Sequence, residues 1–390
     1  MALGGGAGRP GGAAVSDLDL GALLDDPETS VIVCCGAGGV GKTTTAAALA
    51  LHAAERGRHV VVLTIDPARR LAQALGLEEL DNTPRPVASV DTSAGGSLDA
   101  MMLDMKRTFD EVVLTHADPE TAQQILDNSI YQALSSSFAG TQEYMAMERL
   151  GQLRHQADAE GTWDLIVVDT PPSRSALDFL DAPTRLGSFL DGRFIRLISA
   201  PARAGGRVGA RALGVGMSLA AATIGKLLGK QFMLDVSTFV AAMDTVFGGF
   251  RARADETYAL LQAPGTRFVV VAAPERDALR EAGYFVQRLA RDQMPLAGLV
   301  LNRVAVSRAR ISADRARDAA EALEEAGDRH TAAVLRVHAD HAEVAARHRR
   351  LIRDTAAAYP RLATVQVPLA GADIADLPAL RDVAAALTTP

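Results

Sequence analysis

The segment 36–43 constrains the fold of this chain more than any other feature. It reads Gly-Ala-Gly-Gly-Val-Gly-Lys-Thr and fits the phosphate-binding pattern G-x-x-x-x-G-K-[ST] at every fixed position. The apolar run 31–35 before it predicts a buried strand, and the Ala- and Leu-rich run 42–56 after it predicts a helix that ends at Gly57. A strand, a glycine-rich turn and a helix are the context that the pattern requires, so the segment predicts a P-loop.

The predicted loop suits the phosphates of a nucleoside triphosphate. Glycines let backbone N–H groups turn towards phosphate oxygens, and the helix that follows adds a favourable dipole. We expect Lys42 to act catalytically on the β- and γ-phosphates and the Thr43 hydroxyl to bind Mg²⁺. The candidate nucleotide-binding residues of this segment are Gly36, Gly38, Gly39, Val40, Gly41, Lys42, Thr43 and Thr44.

An aspartate follows each of two further predicted strands. Asp169 ends the apolar run 165–168, where a carboxylate would face the ligand crevice of a doubly wound sheet and hold Mg²⁺ directly or through water. Asp66 follows the run 59–65 and is a candidate catalytic residue that orients the attacking water. Taken alone, Asp66 fits equally well as a strand-end residue before the turn-forming Pro67.

Strand patterns alternate with helical patterns along the chain, which predicts an α/β fold with a doubly wound, mostly parallel sheet. We predict a disordered leader at 1–15 and one ATPase domain at 16–390, with an inserted helical subdomain formed by about 97–159 and 175–262. Further predicted strands are 268–272, 299–301 and 363–367, and further predicted helices are 277–291, 312–325, 331–355 and 377–387.

Composition limits the class of protein. The net charge of −7 argues against nucleic acid as a partner, and the two adjacent cysteines, Cys34 and Cys35, favour a reducing cytoplasm. The longest uncharged stretch, 212–225, is too short for a transmembrane helix. Basic residues flank it, so a packed helix, a client groove and a peripheral membrane contact all remain open.

Three segments in this order resemble the ArsA family, which includes the arsenite-pump ATPase and the eukaryotic ATPase that targets tail-anchored membrane proteins. They are the P-loop, Asp66-Pro67-Ala68 as a first switch, and Asp169 to Pro172 as a second switch. Asn302 resembles the asparagine that reads adenine in that family. The resemblance implies ATP with Mg²⁺, a water-positioning role for Asp66 and a dimer. With a single P-loop, the chain resembles a bacterial, single-module member.

The chain departs from the family pattern at Ala37, where the family has a lysine that reaches across a dimer to the partner's phosphates. A homodimer would therefore lack that lysine at both sites. Two solutions are open: Arg174, in the second switch, supplies the charge in cis, or the chain forms a heterodimer with a paralogue that keeps the lysine. The family's arsenite-binding and zinc-binding cysteines are also missing, so metalloid transport is poorly supported.

These features predict a Mg-ATP-hydrolysing ATPase whose switches control the binding of an unknown protein or small client. The alternative is a small-molecule phosphotransferase, which Arg69, Arg70 and Arg174 keep open and the Asp-Pro-Ala switch disfavours. A partition-type ATPase is a third interpretation. Its membrane-bound forms end in a basic amphipathic helix, and the segment 382–390 is not one.

Overall fold

The structure is a computed structural model that describes residues 17–66, 70–128, 131–132, 141–171 and 250–389. Its centre is an eight-stranded sheet. In chain order the strands are β1 Val31–Gly36, β2 His59–Thr64, β3 Arg85–Pro86, β4 Ser97–Met102, β5 Leu165–Asp169, β6 Thr266–Ala272, β7 Leu296–Val304 and β8 Thr364–Pro368. The spatial order is β3-β4-β2-β5-β1-β6-β7-β8, and every pair is parallel except β3 with β4.

Helices cover both faces of the sheet. They are α1 Leu20–Asp25, α2 Lys42–Glu55, α3 Arg70–Ala74, α4 Met105–His116, α5 Pro119–Leu126, α6 Thr141–Glu160, α7 Phe250–Gln262, α8 Arg276–Arg291, α9 Ala313–Glu325, α10 Arg329–Ala358 and α11 Leu377–Thr388. Successive residues of a strand point to opposite faces. Val31 and Val33 of β1 accordingly lie in one apolar cluster, whereas Ile32 and Cys34 lie in the other. The predicted doubly wound α/β fold is confirmed.

The helical interpretation of 97–159 is wrong at its start. Ser97–Met102 is β4, which pairs in parallel with β2 along its whole length. This segment lacks β-branched residues and contains Asp99, so its own propensity for a strand is low. Pairing and burial override that propensity, and the Trp163 indole N–H donates to the Asp99 carboxylate over 2.7 Å.

The rest of the predicted subdomain is described only in part. Helices α4, α5 and α6 lie between 105 and 160 as the sequence predicts, and α7 packs against α6, where Arg253 forms an ion pair with Glu148 over 3.0 Å. Residues 175–249, with the uncharged stretch 212–225, lie outside the described residues, as does the predicted leader. The subdomain remains a prediction. Within the described ranges, no helix is long and apolar enough to cross a membrane.

The strand order determines where the candidate site lies. The predicted strands at 31–35, 59–65, 165–168, 268–272, 299–301 and 363–367 are found as β1, β2, β5, β6, β7 and β8. All six are parallel, so their carboxyl ends meet at one edge of the sheet. In such sheets, ligands bind in the crevice outside this edge.

Candidate nucleotide-binding site

The glycine-rich loop turns between the end of β1 and the start of α2, and close packing requires glycine at two of its positions. A Cβ at Gly36 would lie 2.1 Å from the carbonyl oxygen of Val271 in β6. Gly41 has a left-handed φ of 97°, and a Cβ there would lie 2.2 Å from the side-chain nitrogen of Asn302. The backbone therefore takes the turn that the P-loop pattern predicts.

Lys42 begins α2 and its side chain is directed back to the loop. Only 5 % of the residue is exposed, and its Nζ donates to the carbonyl oxygen of Ala37 over 2.9 Å. Burial lowers the pKa of Lys42, and the nearby Asp169 carboxylate opposes that shift. A cation is thus held at the mouth of the loop, where a phosphate of the nucleotide would approach.

Asp169 ends β5 directly beside the loop and is fully buried. Its Oδ2 accepts hydrogen bonds from the hydroxyls of Thr43, over 2.7 Å, and Thr64, over 2.9 Å. Burial raises the pKa of this carboxyl to about 6, although both hydroxyls act in the opposite direction. Its Oδ1 has no hydrogen-bond partner among the described residues. An unpaired carboxylate oxygen beside a threonine hydroxyl fits Mg²⁺, which prefers oxygen ligands.

Asp66 lies half-buried just beyond the end of β2. Its backbone N–H donates to the Thr64 hydroxyl over 3.2 Å, and that hydroxyl in turn donates to Asp169. Thr64 therefore connects the two aspartates, a role that the sequence analysis missed. The available signal was its position, because Thr64 ends β2 and lies two residues before the candidate catalytic residue Asp66.

Asn302 belongs to β7, and its side chain contacts the P-loop from the side opposite to Asp169. The amide nitrogen donates to the carbonyl oxygen of Val40 over 2.8 Å, and the amide oxygen accepts the N–H of Arg303 over 2.9 Å. Arg303 has a φ of +58°, which is uncommon for a residue with a side chain. The amide nitrogen has a second hydrogen, so this contact leaves the predicted adenine-binding role possible. That role remains a prediction.

A cleft of about 1070 Å³ opens at this edge of the sheet. Most of the predicted site residues line it: Gly39, Gly41, Lys42, Thr43, Thr44, Asp66 and Asn302. The sequence analysis missed two walls, one on α3 and one formed by the connection 368–375 between β8 and α11. The second follows from topology, because β8 is parallel to β1 and its carboxyl end must lie at the same edge. Arg174 lies outside the described residues.

A doubly wound parallel sheet, a P-loop between β1 and α2, and a strand-end carboxylate bonded to the loop threonine define a P-loop nucleotide-binding protein. Residues 29–324 match the family model described as anion-transporting ATPase. The chain belongs to this family, the ArsA-type ATPases. The predicted resemblance is confirmed, and the predicted enzyme class, an ATPase, is confirmed at the level of the family.

Three curated relatives illustrate the match. The chain is 30 % identical over 158 residues to the "Arsenical pump-driving ATPase" of Acidiphilium multivorum, which covers 40 % of this chain and 26 % of that protein. It is 30 % identical over 302 residues to "ATPase ARSA2" of Chlamydomonas reinhardtii, with coverage of 75 % and 72 %. It is 26 % identical over 179 residues to "ATPase GET3" of Eremothecium gossypii, with coverage of 45 % and 51 %. The chain thus spans about half or less of two of these relatives.

Proposed function

We propose that the chain binds Mg-ATP in this cleft and hydrolyses it to ADP and phosphate. The observation that carries the proposal is the buried carboxylate of Asp169, which links the loop residue Thr43 to Thr64 at the end of β2. This is the arrangement expected where a metal–phosphate group is bound beside a switch segment. ATP, rather than another nucleotide, is supported by family membership and by the position of Asn302 beside the loop.

Each residue of the site has a defined task in this reaction. Asp66 orients a water molecule, whose oxygen attacks the γ-phosphorus while the bond to the bridging oxygen of ADP breaks. The proton of that water leaves with the phosphate or to solvent. Lys42 stabilises negative charge on the β- and γ-oxygens. Thr43 and Asp169 would hold Mg²⁺, which supplies further positive charge to those oxygens when it is bound.

We propose that hydrolysis controls how tightly the chain binds a client. Asp66 and Asp169 each begin a segment that resembles a family switch, so loss of the γ-phosphate would release both segments. One relative is named an arsenical pump-driving ATPase, so its ATPase acts on a second component, and this supports the proposal. We propose a cytoplasmic dimer, either of two copies or with a paralogue that keeps the loop lysine. We propose that the client is a protein or a small molecule, and that the chain can contact a membrane surface peripherally.

A phosphate-release assay without any acceptor tests this proposal. The purified chain with Mg-ATP should release inorganic phosphate, and EDTA should stop the release. Nucleotide binding without release, followed by release or transfer only when a small acceptor is added, would support the phosphotransferase instead. Of the three arginines that keep this alternative open, Arg70 lines the cleft, and Arg69 and Arg174 lie outside the described residues. The relatives are named as ATPases, which supports hydrolysis.

A further inference from the structure

The P-loop of this chain provides only one cation. Position 37 is an alanine, and its carbonyl oxygen accepts the hydrogen bond from Lys42. Phosphoryl transfer spreads negative charge over the γ-oxygens, and ATPases of this kind use a second cationic side chain against that charge. A residue of this chain that carries positive charge into the same cleft would remove the need for a partner's lysine.

Helix α3 presents such a residue. Arg70, Gln73 and Ala74 are spaced as one face of a helix, and all three line the cleft. Leu71 and Leu75 are fully or almost fully buried beneath this wall, so packing fixes the orientation of α3. Arg70 is exposed, and within the described ranges no carboxylate forms an ion pair with it. Its guanidinium is therefore available to a ligand.

Arg303 is the second arginine that the described part of the chain contributes to the cleft, and position within the sheet distinguishes the two. Arg70 follows β2, on the side of the P-loop strand where Asp66 and Asp169 also lie. Arg303 is the penultimate residue of β7, on the opposite side of β1 and next to Asn302. The metal and the reacting phosphate belong with the two aspartates. Arg303 is therefore placed at the end of the cleft where the base would lie, and Arg70 at the end where the γ-phosphate would lie.

We infer that Arg70 is a catalytic residue that contacts the γ-phosphate from within the same chain during hydrolysis. This inference rests on the proposed ATPase reaction. Arginine suits the task because its planar guanidinium stays charged and can give two parallel hydrogen bonds to a phosphate. The chain would then complete its own site, and neither a paralogue nor a lysine at position 37 would be required for turnover.

The first experiment compares Arg70→Ala and Arg70→Lys with the wild type in phosphate release. We expect kcat of Arg70→Ala to fall about 10³-fold, the lower limit for an arginine finger, while the Kd for Mg-ATP changes little. Arg70→Lys should recover only part of the rate, because an ammonium cannot give the bidentate contact. Arg349→Ala, an exposed arginine of α10 outside the cleft, is the control and should match the wild type.

A second readout does not depend on turnover. Wild-type protein should bind Mg-ADP much more tightly when aluminium fluoride is added, because the complex imitates the transferring phosphoryl group. Arg70→Ala should lose this gain and still bind Mg-ADP alone. An equal loss of kcat in Arg303→Ala would show that only the total charge of the cleft matters, and would overturn the assignment to Arg70.

Mixing two inactive variants tests whether Arg70 acts in cis. If Arg70 acted across a dimer, Lys42→Ala could supply its intact arginine to an Arg70→Ala partner, and the mixture would regain activity. We expect no regain, and regain would overturn the inference. If Arg70→Ala hydrolyses ATP at the wild-type rate, this inference is refuted and the proposed ATPase reaction is not. An inactive wild type would refute the proposed ATPase reaction, and the inference would fall with it.

Discussion

Asp169→Asn should change the stability of the protein in a way that depends on pH. Burial raises the pKa of this carboxyl to about 6, from an ordinary value of 3.8. A raised pKa means that the folded protein favours the protonated form. Its contribution to stability is therefore full below about pH 4 and is lost as the pH rises through 6. Above pH 6 the ionised carboxylate costs the folded state about 3 kcal/mol, from roughly two pKa units at 1.4 kcal/mol each.

Asparagine removes this cost but adds one of its own. Its side-chain oxygen can accept the hydroxyls of Thr43 and Thr64, as Oδ2 of Asp169 does. Its NH₂ group then takes the place of Oδ1, which has no partner among the described residues, and an unpaired buried donor costs about 1–3 kcal/mol. That second cost does not depend on pH. The free energy of unfolding of the variant, relative to wild type, should therefore rise by about 1–2 kcal/mol between pH 5 and pH 8.

Urea unfolding in EDTA, without nucleotide, measures this difference. Trp163 is the only tryptophan and is buried, so its fluorescence reports unfolding. Asp118→Asn is a control of opposite sign, because hydrogen bonds from Thr121 lower the pKa of the exposed Asp118. Because that pKa is lowered from 3.8, the stability of Asp118→Asn relative to wild type should fall only as the pH rises towards about 4, and it should be constant between pH 5 and pH 8. Parallel pH profiles for wild type and Asp169→Asn would refute the view that burial dominates at Asp169.

Three further substitutions test the proposed roles. Lys42→Ala should abolish turnover or ATP binding, since preorganised charge is commonly worth a few kcal/mol. Unchanged Kd and kcat would refute this role. Lys106→Ala, on the surface of α4, is the control. Asp66→Asn should bind Mg-ATP yet hydrolyse it far more slowly, and a wild-type rate would make Asp66 structural. Asn302→Ala should weaken ATP binding more than GTP binding. Equal losses for both nucleotides would refute a role in adenine recognition and leave Asn302 only its hydrogen bond to Val40.

The central sheet was predictable because its strands are buried on both faces. Such strands must be apolar throughout, and the runs 31–35 and 165–168 show this directly in the sequence. Strand β4 lies near the edge of the sheet and contains Asp99, so its sequence shows neither a continuous apolar run nor strict alternation. Its strand structure results from pairing with β2, and a single sequence contains no direct signal of that pairing.

A continuous motif predicted only one part of the candidate site, whereas Asp66 and Asp169 were predicted from their positions after strands and Asn302 from the family resemblance. The P-loop is continuous in sequence, so its glycines and Lys42 could be assigned from the pattern alone. Asn302 contacts Val40 from 262 residues away, a contact that exists only because β7 lies two strands from β1. Thr64 was missed for the same reason, since its hydroxyl gains a role only when β2 pairs with β5.

Hydrogen bonds already connect several residues of the candidate site. Lys42 donates to the Ala37 carbonyl, and Thr43 donates to Asp169. In the proposed complex with Mg-ATP these bonds would be exchanged for new ones, so the net gain would be smaller than the number of new contacts suggests. Any change at Asp169 acts on Thr64, whose hydroxyl also accepts the backbone N–H of Asp66. Mg²⁺ bound at Asp169, as proposed, would therefore be connected through two hydrogen bonds to Asp66, the residue that is proposed to orient the attacking water.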